Sequence, residues 1–197
     1  MSDLKFLLLK WDDVQRLSEE VALKVEDSSF KADIIVAISR GGFDPARIIS
    51  DQLCVRNLAC LQIVYYDGLN ERRKTPEVQY PLNANVKGLR ALVVDDVADS
   101  GNSLKLVKEY VKGLGAKDVK IATLHMKPWS VFEPDYYADI VDKWIIYPWE
   151  LKESLLGLVA KLTDEGLSPR QIISRLIEIG FSKEQICRYS ELLAENV

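Results

Sequence analysis

The chain has 197 residues, of which 48% are hydrophobic and 28% charged, and it carries a formal net charge of −4. That balance fits one substantial folded core with room for a small appendage, and it excludes a disordered chain and a membrane-embedded class. The negative balance argues against a general nucleic-acid surface but not against an anionic small substrate, and no apolar run is long enough to span a bilayer. Cys54, Cys60 and Cys187 lack paired metal-type spacing and read as reduced thiols of a cytoplasmic protein. His125 is the only histidine, which disfavours a Ser-His-Asp mechanism and leaves it a structural role.

Leu4 to Leu9 reads as a short strand. It is followed by Lys10, Trp11 and two aspartates, not by a small-residue cleavage site, so it does not read as a signal peptide. Asp12 or Asp13 can cap a helix whose apolar face is Val14, Leu17, Val21 and Val25. Ile34 to Ile38 is a second strand, ending in Ser39-Arg40-Gly41-Gly42 before a helix that carries Ala46, Ile48, Ile49 and Leu53. A strand-to-helix turn of this kind can receive an anion on its amides, and Arg40 adds a bidentate donor for phosphate oxygens. Ala59 to Tyr65 is a third strand. Asp67 to Gly88 then reads as a long polar connection with a basic cluster at Arg72, Arg73 and Lys74, a solvated hairpin being the alternative.

The organising stretch is Ala91 to Leu104, ALVVDDVADSGNSL. Leu92, Val93 and Val94 have the apolar, β-branched character of a strand buried on both faces, and that strand is expected to end at Asp95. From Ser103 onward, Leu104, Leu106, Val107, Tyr110, Val111 and Leu114 recur at helical spacing, with Gly113 and Gly115 as the stop. The small-residue turn between them can cradle a phosphate with its amides and with the Ser100 and Ser103 hydroxyls, and Gly101 allows close approach. Asp95 and Asp96 would repel a bare phosphate. They suit a ligand that also carries a diol or a metal ion, and a ribose 5-phosphate has that shape.

This run resembles the phosphoribosyl-pyrophosphate signature of the type I phosphoribosyltransferases: an apolar run, two acids, two apolar residues, an acid, then Thr or Ser, Gly, a small residue, and Thr or Ser. Ser100 and Ser103 stand where Thr is common, and Asn102 where a second Gly often sits, a place where Asn would tolerate positive φ. The resemblance makes Ser39, Arg40, Gly41 and Gly42 the pyrophosphate loop, with a non-proline cis peptide at Ser39-Arg40. It makes Asp95, Asp96, Asp99, Ser100, Gly101, Asn102 and Ser103 the rest of the phosphoribosyl-pyrophosphate site. It implies Mg²⁺ held through Asp96, a diol contact from Asp95, and a catalytic carboxylate, Asp99, near purine N7. The polar connection would be a flexible loop that closes over the reaction centre.

Val119 to Leu124 is a further strand, followed by Lys127-Pro128-Trp129, and Asp135 to Glu150 reads DYYADIVDKWIIYPWE. This order is similar to the bacterial xanthine-guanine phosphoribosyltransferases. Carried over, Lys127 would contact purine O6, Trp144 would stack on the ring, and Ile145 would offer its backbone carbonyl, while Trp129, Tyr147 and Trp149 read as packing or rim residues. A lysine donor selects a 6-oxopurine over adenine.

The resemblance covers Leu9 to Glu150. Beyond it, Leu155, Leu156, Leu158, Val159 and Leu162 mark a helix stopped near Gly166. Capping-box patterns at Ser168 and Ser182 open two more helices, with apolar positions Ile172, Ile173, Leu176 and Ile177, then Ile186, Leu192 and Leu193. So small a unit is expected to pack on the core or on a second subunit.

The expectation is an α/β protein of the type I phosphoribosyltransferase fold, with a central, mostly parallel sheet flanked by helices and a small hood. The transferase domain would be 1–150 and a small helical extension 151–197. The implied partners are phosphoribosyl pyrophosphate and a 6-oxopurine base, with no nucleic acid or membrane, in a homo-oligomer such as a dimer or tetramer. A nucleotide-binding regulator on the same fold, or a transferase for adenine or a pyrimidine, is the alternative.

Overall fold

The computed structural model describes residues 5–66 and 75–194. In chain order the elements begin β1 (Phe6–Leu8), α1 (Trp11–Glu26), β2 (Ile34–Ser39), α2 (Phe43–Gln52), β3 (Leu58–Tyr66), β4 (Thr75–Tyr80) and β5 (Arg90–Ala98). They continue α3 (Asn102–Gly113), β6 (Asp118–Met126), β7 (Tyr136–Ile140), β8 (Trp144–Ile146), α4 (Leu151–Asp164), α5 (Pro169–Ile179) and α6 (Lys183–Ala194). Two compact units result: residues 12–142, and the described part of 1–11 together with 143–197. No helix among the described residues is long and apolar enough to cross a membrane.

The larger unit is built on a sheet of order β4-β3-β2-β5-β6-β7, parallel except for β4. Parallel strands covered by helices on both faces must be apolar where they are covered, and Ile34 to Ile38 of β2 and Ala91 to Val94 of β5 meet that demand. Val36, Val93, Val119 and Ile121 pack against Leu104, Val107 and Val111 of α3. Ile35, Leu92 and Val94, at alternating positions on the same strands, are equally buried. In α1, Val14, Leu17, Val21 and Val25 form the buried face, as their spacing requires. Lys24 of α1 donates through Nζ to the Tyr137 carbonyl of β7 at 2.7 Å.

Topology fixes where a ligand can sit. From adjacent strands β2 and β5, the crossovers through α2 and α3 run toward opposite edges of the sheet. The loops leaving the carboxyl ends of β2 and β5 therefore diverge, and such a switch point opens the crevice that open α/β sheets use for ligands.

The structure corrects several sequence expectations. The central strand does not stop at Asp95 but runs to Ala98, because β6 pairs alongside it to the end: Asp95 faces Thr123, Val97 faces His125 and Ala98 faces Met126. Pairing with β2 ends at Val94 opposite Ala37, so both acids lie where β5 has a partner on one side only.

The stretch read as a polar connection contains β4, antiparallel to β3, with Ile63 opposite Val78 and Tyr65 opposite Pro76. Pro76 is tolerated there because β4 is an edge strand. Arg72, Arg73 and Lys74 lie outside the described residues. Ile48 and Leu53 of the α2 pattern are only half-buried, and Leu114 follows α3 as an exposed cap.

In the smaller unit β1 and β8 form a parallel pair, Leu7 opposite Ile145. Ile146 of β8 shares one apolar cluster with Leu155, Leu158, Leu162, Ile172, Leu176, Phe181 and Ile186, and Phe6 and Leu8 pack on it. The helical extension therefore builds its core together with β1 and β8, so the compact boundary differs from a division at residue 150. At the start of α6, Ser182 N–H donates to Gln185 Oε1 at 2.8 Å while Gln185 N–H donates to Ser182 Oγ at 3.1 Å, a complete capping box. Ile173 and Ile177, expected on the apolar face of α5, are exposed.

Candidate active site

The site is built at the carboxyl ends of β2 and β5. After Ala98, Asp99 and Ser100 lead to Gly101, which caps α3 with φ +81°, a left-handed backbone that suits glycine. A side chain there would also collide with Ser130 and Phe132. Positive φ thus falls on Gly101 and not on Asn102. Asn102 is the first helical residue, so its replacement of a second glycine requires no unusual backbone.

A cleft of about 560 Å³ opens over this turn, lined by Asp95, Asp96, Val97, Asp99, the Ser100–Leu104 turn and Tyr65. The first turn of α3 faces it with the positive dipole end that favours an anion.

The Ser39–Gly42 turn does not line that cleft but abuts its acidic edge. A Cβ on Gly41 would overlap the Asp96 carboxylate, and one on Gly42 would overlap the carbonyls of Val94 and Ile38. The first glycine brings the turn against the acid, and the second lets it leave β2 alongside β5. The Ser39-Arg40 peptide is cis, as the resemblance implied, and Arg40 is exposed.

The two acids differ in setting. Asp95 is half-buried and its carboxyl is pushed well above the usual carboxylate range, first by burial and then by the neighbouring Asp96 charge. Asp96 N–H donates to Asp95 Oδ1 at 3.0 Å. Among the described residues, no group of three or more His, Cys, Asp or Glu side chains forms a self-sufficient metal cage. Adjacent carboxylates beside an anion cradle fit the way Mg²⁺ is usually held, by one or two carboxylates plus substrate oxygens.

Residues beyond the signature join the site. Ser103 Oγ donates to the Tyr65 hydroxyl at 2.7 Å, tying the α3 turn to the end of β3. Trp129 Nε1 donates to Asp99 Oδ1 at 3.0 Å. Neither partner was identified from sequence: Tyr65 reads as one more strand residue, and Trp129 as rim. The available signal was position alone, an aromatic at the end of β3 and an indole two residues after Lys127.

Lys127 is 7% exposed, and its N–H donates to the Ala98 carbonyl at 2.9 Å, which seats it beside the end of β5. Burial lowers its pKa, while the charges of Asp99 and Asp142 act in the opposite direction.

In the smaller unit, Trp144 is 60% exposed, so it is not a core tryptophan. It borders a cavity of about 380 Å³ with Phe6, Glu150, Ser154, Leu158 and Lys161. Trp144 N–H donates to Lys5 O and Leu9 N–H to Ile146 O, so the intervening Ile145 turns its backbone groups away from β1. Tyr147 and Trp149 stack at 4.7 Å between ring centroids, in keeping with their reading as packing or rim residues, and Trp11 lies 5.9 Å from Trp149.

Comparison with known proteins adds an independent line. The family described as phosphoribosyl transferase domain matches residues 8–158. A xanthine-guanine phosphoribosyltransferase of Idiomarina loihiensis is 32% identical over 146 residues, covering 73% of this chain and 86% of its own length. The crystal structure of a purine phosphoribosyltransferase from Pyrococcus horikoshii, 38% identical, superposes with a TM-score of 0.67 over 74% of this chain and 94% of its own. A Neisseria gonorrhoeae protein solved with bound ppGpp, 28% identical, superposes at 0.66 over 75% of this chain and 90% of its own.

Proposed function

Because the chain belongs to the phosphoribosyl transferase family, we propose that it moves ribose 5-phosphate from phosphoribosyl pyrophosphate to a 6-oxopurine base, releasing pyrophosphate. The observation that carries this reading is the abutment of the Ser39–Gly42 turn on the Asp96 carboxylate of β5, at the acidic edge of a cleft whose lining also includes Asp99 and the Ser100–Ser103 turn. The substrate class is supported by relatives named xanthine-guanine phosphoribosyltransferases and by Lys127, a donor that adenine's 6-amino group cannot accept.

Each residue then has a task. The amides of the Ser100–Ser103 turn, with Ser100 and Ser103 Oγ, hold the 5-phosphate, while Gly101 and Asn102 give the turn its shape. Asp95 and Asp96 face the ribose diol. Ser39, Arg40, Gly41 and Gly42 receive the pyrophosphate, where the guanidinium and loop amides stabilise departing negative charge. Mg²⁺, held through Asp96, would neutralise that leaving group when bound.

Breaking the anomeric bond builds positive charge on the sugar, so placement of the base matters as much as leaving-group charge. Asp99 takes or orients the proton at N7 as the new bond forms. Lys127 donates to O6, Trp144 supplies a stacking face, and the Ile145 carbonyl accepts from the exocyclic group. On this reading the reacting groups all lie within residues 1–150, the protein works in the cytoplasm, and it assembles as a dimer or tetramer.

The test is pyrophosphate release measured across guanine, xanthine, hypoxanthine, adenine and uracil. Turnover confined to the first three supports the assignment. Turnover with adenine or uracil would reassign the base, and nucleotide binding without turnover would make the protein a regulator.

A further inference from the structure

We propose that Trp129 is a positioning residue that sets Asp99 and Lys127 toward one edge of the base; this rests on the transferase reading above. Trp129 is 55% exposed, so packing alone does not explain a large aromatic at this place. Its two surfaces are both engaged. The indole N–H donates to Asp99 Oδ1 at 3.0 Å, and Lys127 Nζ lies 5.5 Å from the ring centroid, over the face.

The loop that carries the indole is fastened to the signature turn. Ser130 N–H donates to Lys127 O at 3.0 Å, Val131 N–H donates to Ser100 O at 3.1 Å, and Gly101 packs directly on Ser130 and Phe132. Trp129 is therefore held by the same turn that carries Asp99.

The chemistry of the base makes this arrangement useful. A 6-oxopurine base presents the acceptor O6 beside N7, which carries the proton that Asp99 takes or orients on that reading, so an ammonium and a carboxylate must be held a fixed distance apart to meet both. One indole does that: its edge takes Oδ1 of Asp99 and leaves Oδ2 for the base, while its face steers the Lys127 ammonium. Trp129 need not touch the reacting atoms.

Two variants separate the two contacts. Trp129→Phe keeps a ring face for Lys127 and removes the N–H, so kcat falls roughly tenfold, the scale of one charge-assisted hydrogen bond, with KM for phosphoribosyl pyrophosphate unchanged. Trp129→Ala also removes the face, and KM for guanine or hypoxanthine then rises as well. In an Asp99→Ala background, Trp129→Phe produces no further loss, because the two residues act through one contact. Thermal midpoints of the variants, measured alongside, match wild type to within a few degrees because the side chain is largely exposed.

An unchanged kcat for Trp129→Phe, or the same fractional loss with and without Asp99, overturns the positioning role while leaving the transferase reading intact. A wild-type protein with no turnover on any 6-oxopurine overturns both.

Discussion

Gly41 lies against the carboxylate of Asp96 so closely that a methyl group on its Cα would occupy the same space. Gly42, one residue on, meets the carbonyl oxygens of Val94 and Ile38 instead. The difference matters because a side-chain end can move aside and a strand backbone cannot. Gly41→Ala is expected to fold with nearly wild-type stability but to displace Asp96, raising KM for phosphoribosyl pyrophosphate at least about tenfold, an order-of-magnitude expectation for one misplaced charged contact. Gly42→Ala is expected to cost about 1–3 kcal/mol of stability through overpacking. Thermal denaturation beside steady-state kinetics separates the two, and equal stability losses would contradict this division of labour.

Asp99→Asn keeps the size and hydrogen-bonding reach of the side chain but removes its charge. Nucleotide binding should survive, and turnover should fall about a hundredfold, the lower end of what a positioned acid or base supplies. Titration calorimetry with guanosine monophosphate alongside initial rates checks both halves. Unchanged turnover would remove Asp99 from the chemistry.

Lys127→Ala deletes the amine assigned to O6. KM for guanine or hypoxanthine should rise about 10- to 100-fold, in keeping with a hydrogen bond to a charged group, with a much smaller effect on KM for phosphoribosyl pyrophosphate. Equal effects on both substrates would point to general disruption of the loop.

His125 gives a pH test that does not depend on the reaction. It is 2% exposed on β6, and its pKa is lowered to about 4, by burial first and then by the positive charges of Lys127 and Arg16, against the opposing pull of Asp139. Below pH 6.5 the unfolded chain protonates this imidazole while the folded chain does not, so stability falls as pH drops from 6.5 toward 4, by up to about 3 kcal/mol. Asp95 works in the opposite sense, because a raised carboxyl pKa favours the folded state as pH falls. Comparing urea midpoints of wild type and His125→Gln at pH 7.5 and 5 isolates the histidine. A variant with the same pH slope as wild type would contradict its neutral burial.

Much of the fold was legible because buried parallel strands leave a plain mark. Ile34 to Ile38 and Leu92 to Val94 are apolar without alternation, as strands covered on both faces must be. The tight turn into α3 was legible because a glycine set between hydroxyl residues after an apolar run marks a sharp entry into a helix. The continuation of β5 through Asp95 and Asp96 was not, since acids are poor strand formers and only the pairing with β6 holds them in line. For β4, a polar segment with Pro76 resembles a loop until an edge position is known. Ile173 and Ile177 share the helical spacing of Ile172 and Leu176, but no spacing rule states how wide a face the neighbouring helices cover. The bonds of Tyr65 to Ser103 and of Trp129 to Asp99 join residues 38 and 30 positions apart, and single-chain pattern carries no record of such pairs.

The most direct test of the central claim is a single assay: pyrophosphate released by the purified protein given phosphoribosyl pyrophosphate, Mg²⁺ and one base at a time. Release with guanine, xanthine or hypoxanthine, absent with adenine and uracil and abolished or much reduced in Asp99→Asn, is the predicted result. Release that is equal across all five bases, or that is missing with every one of them, would contradict it.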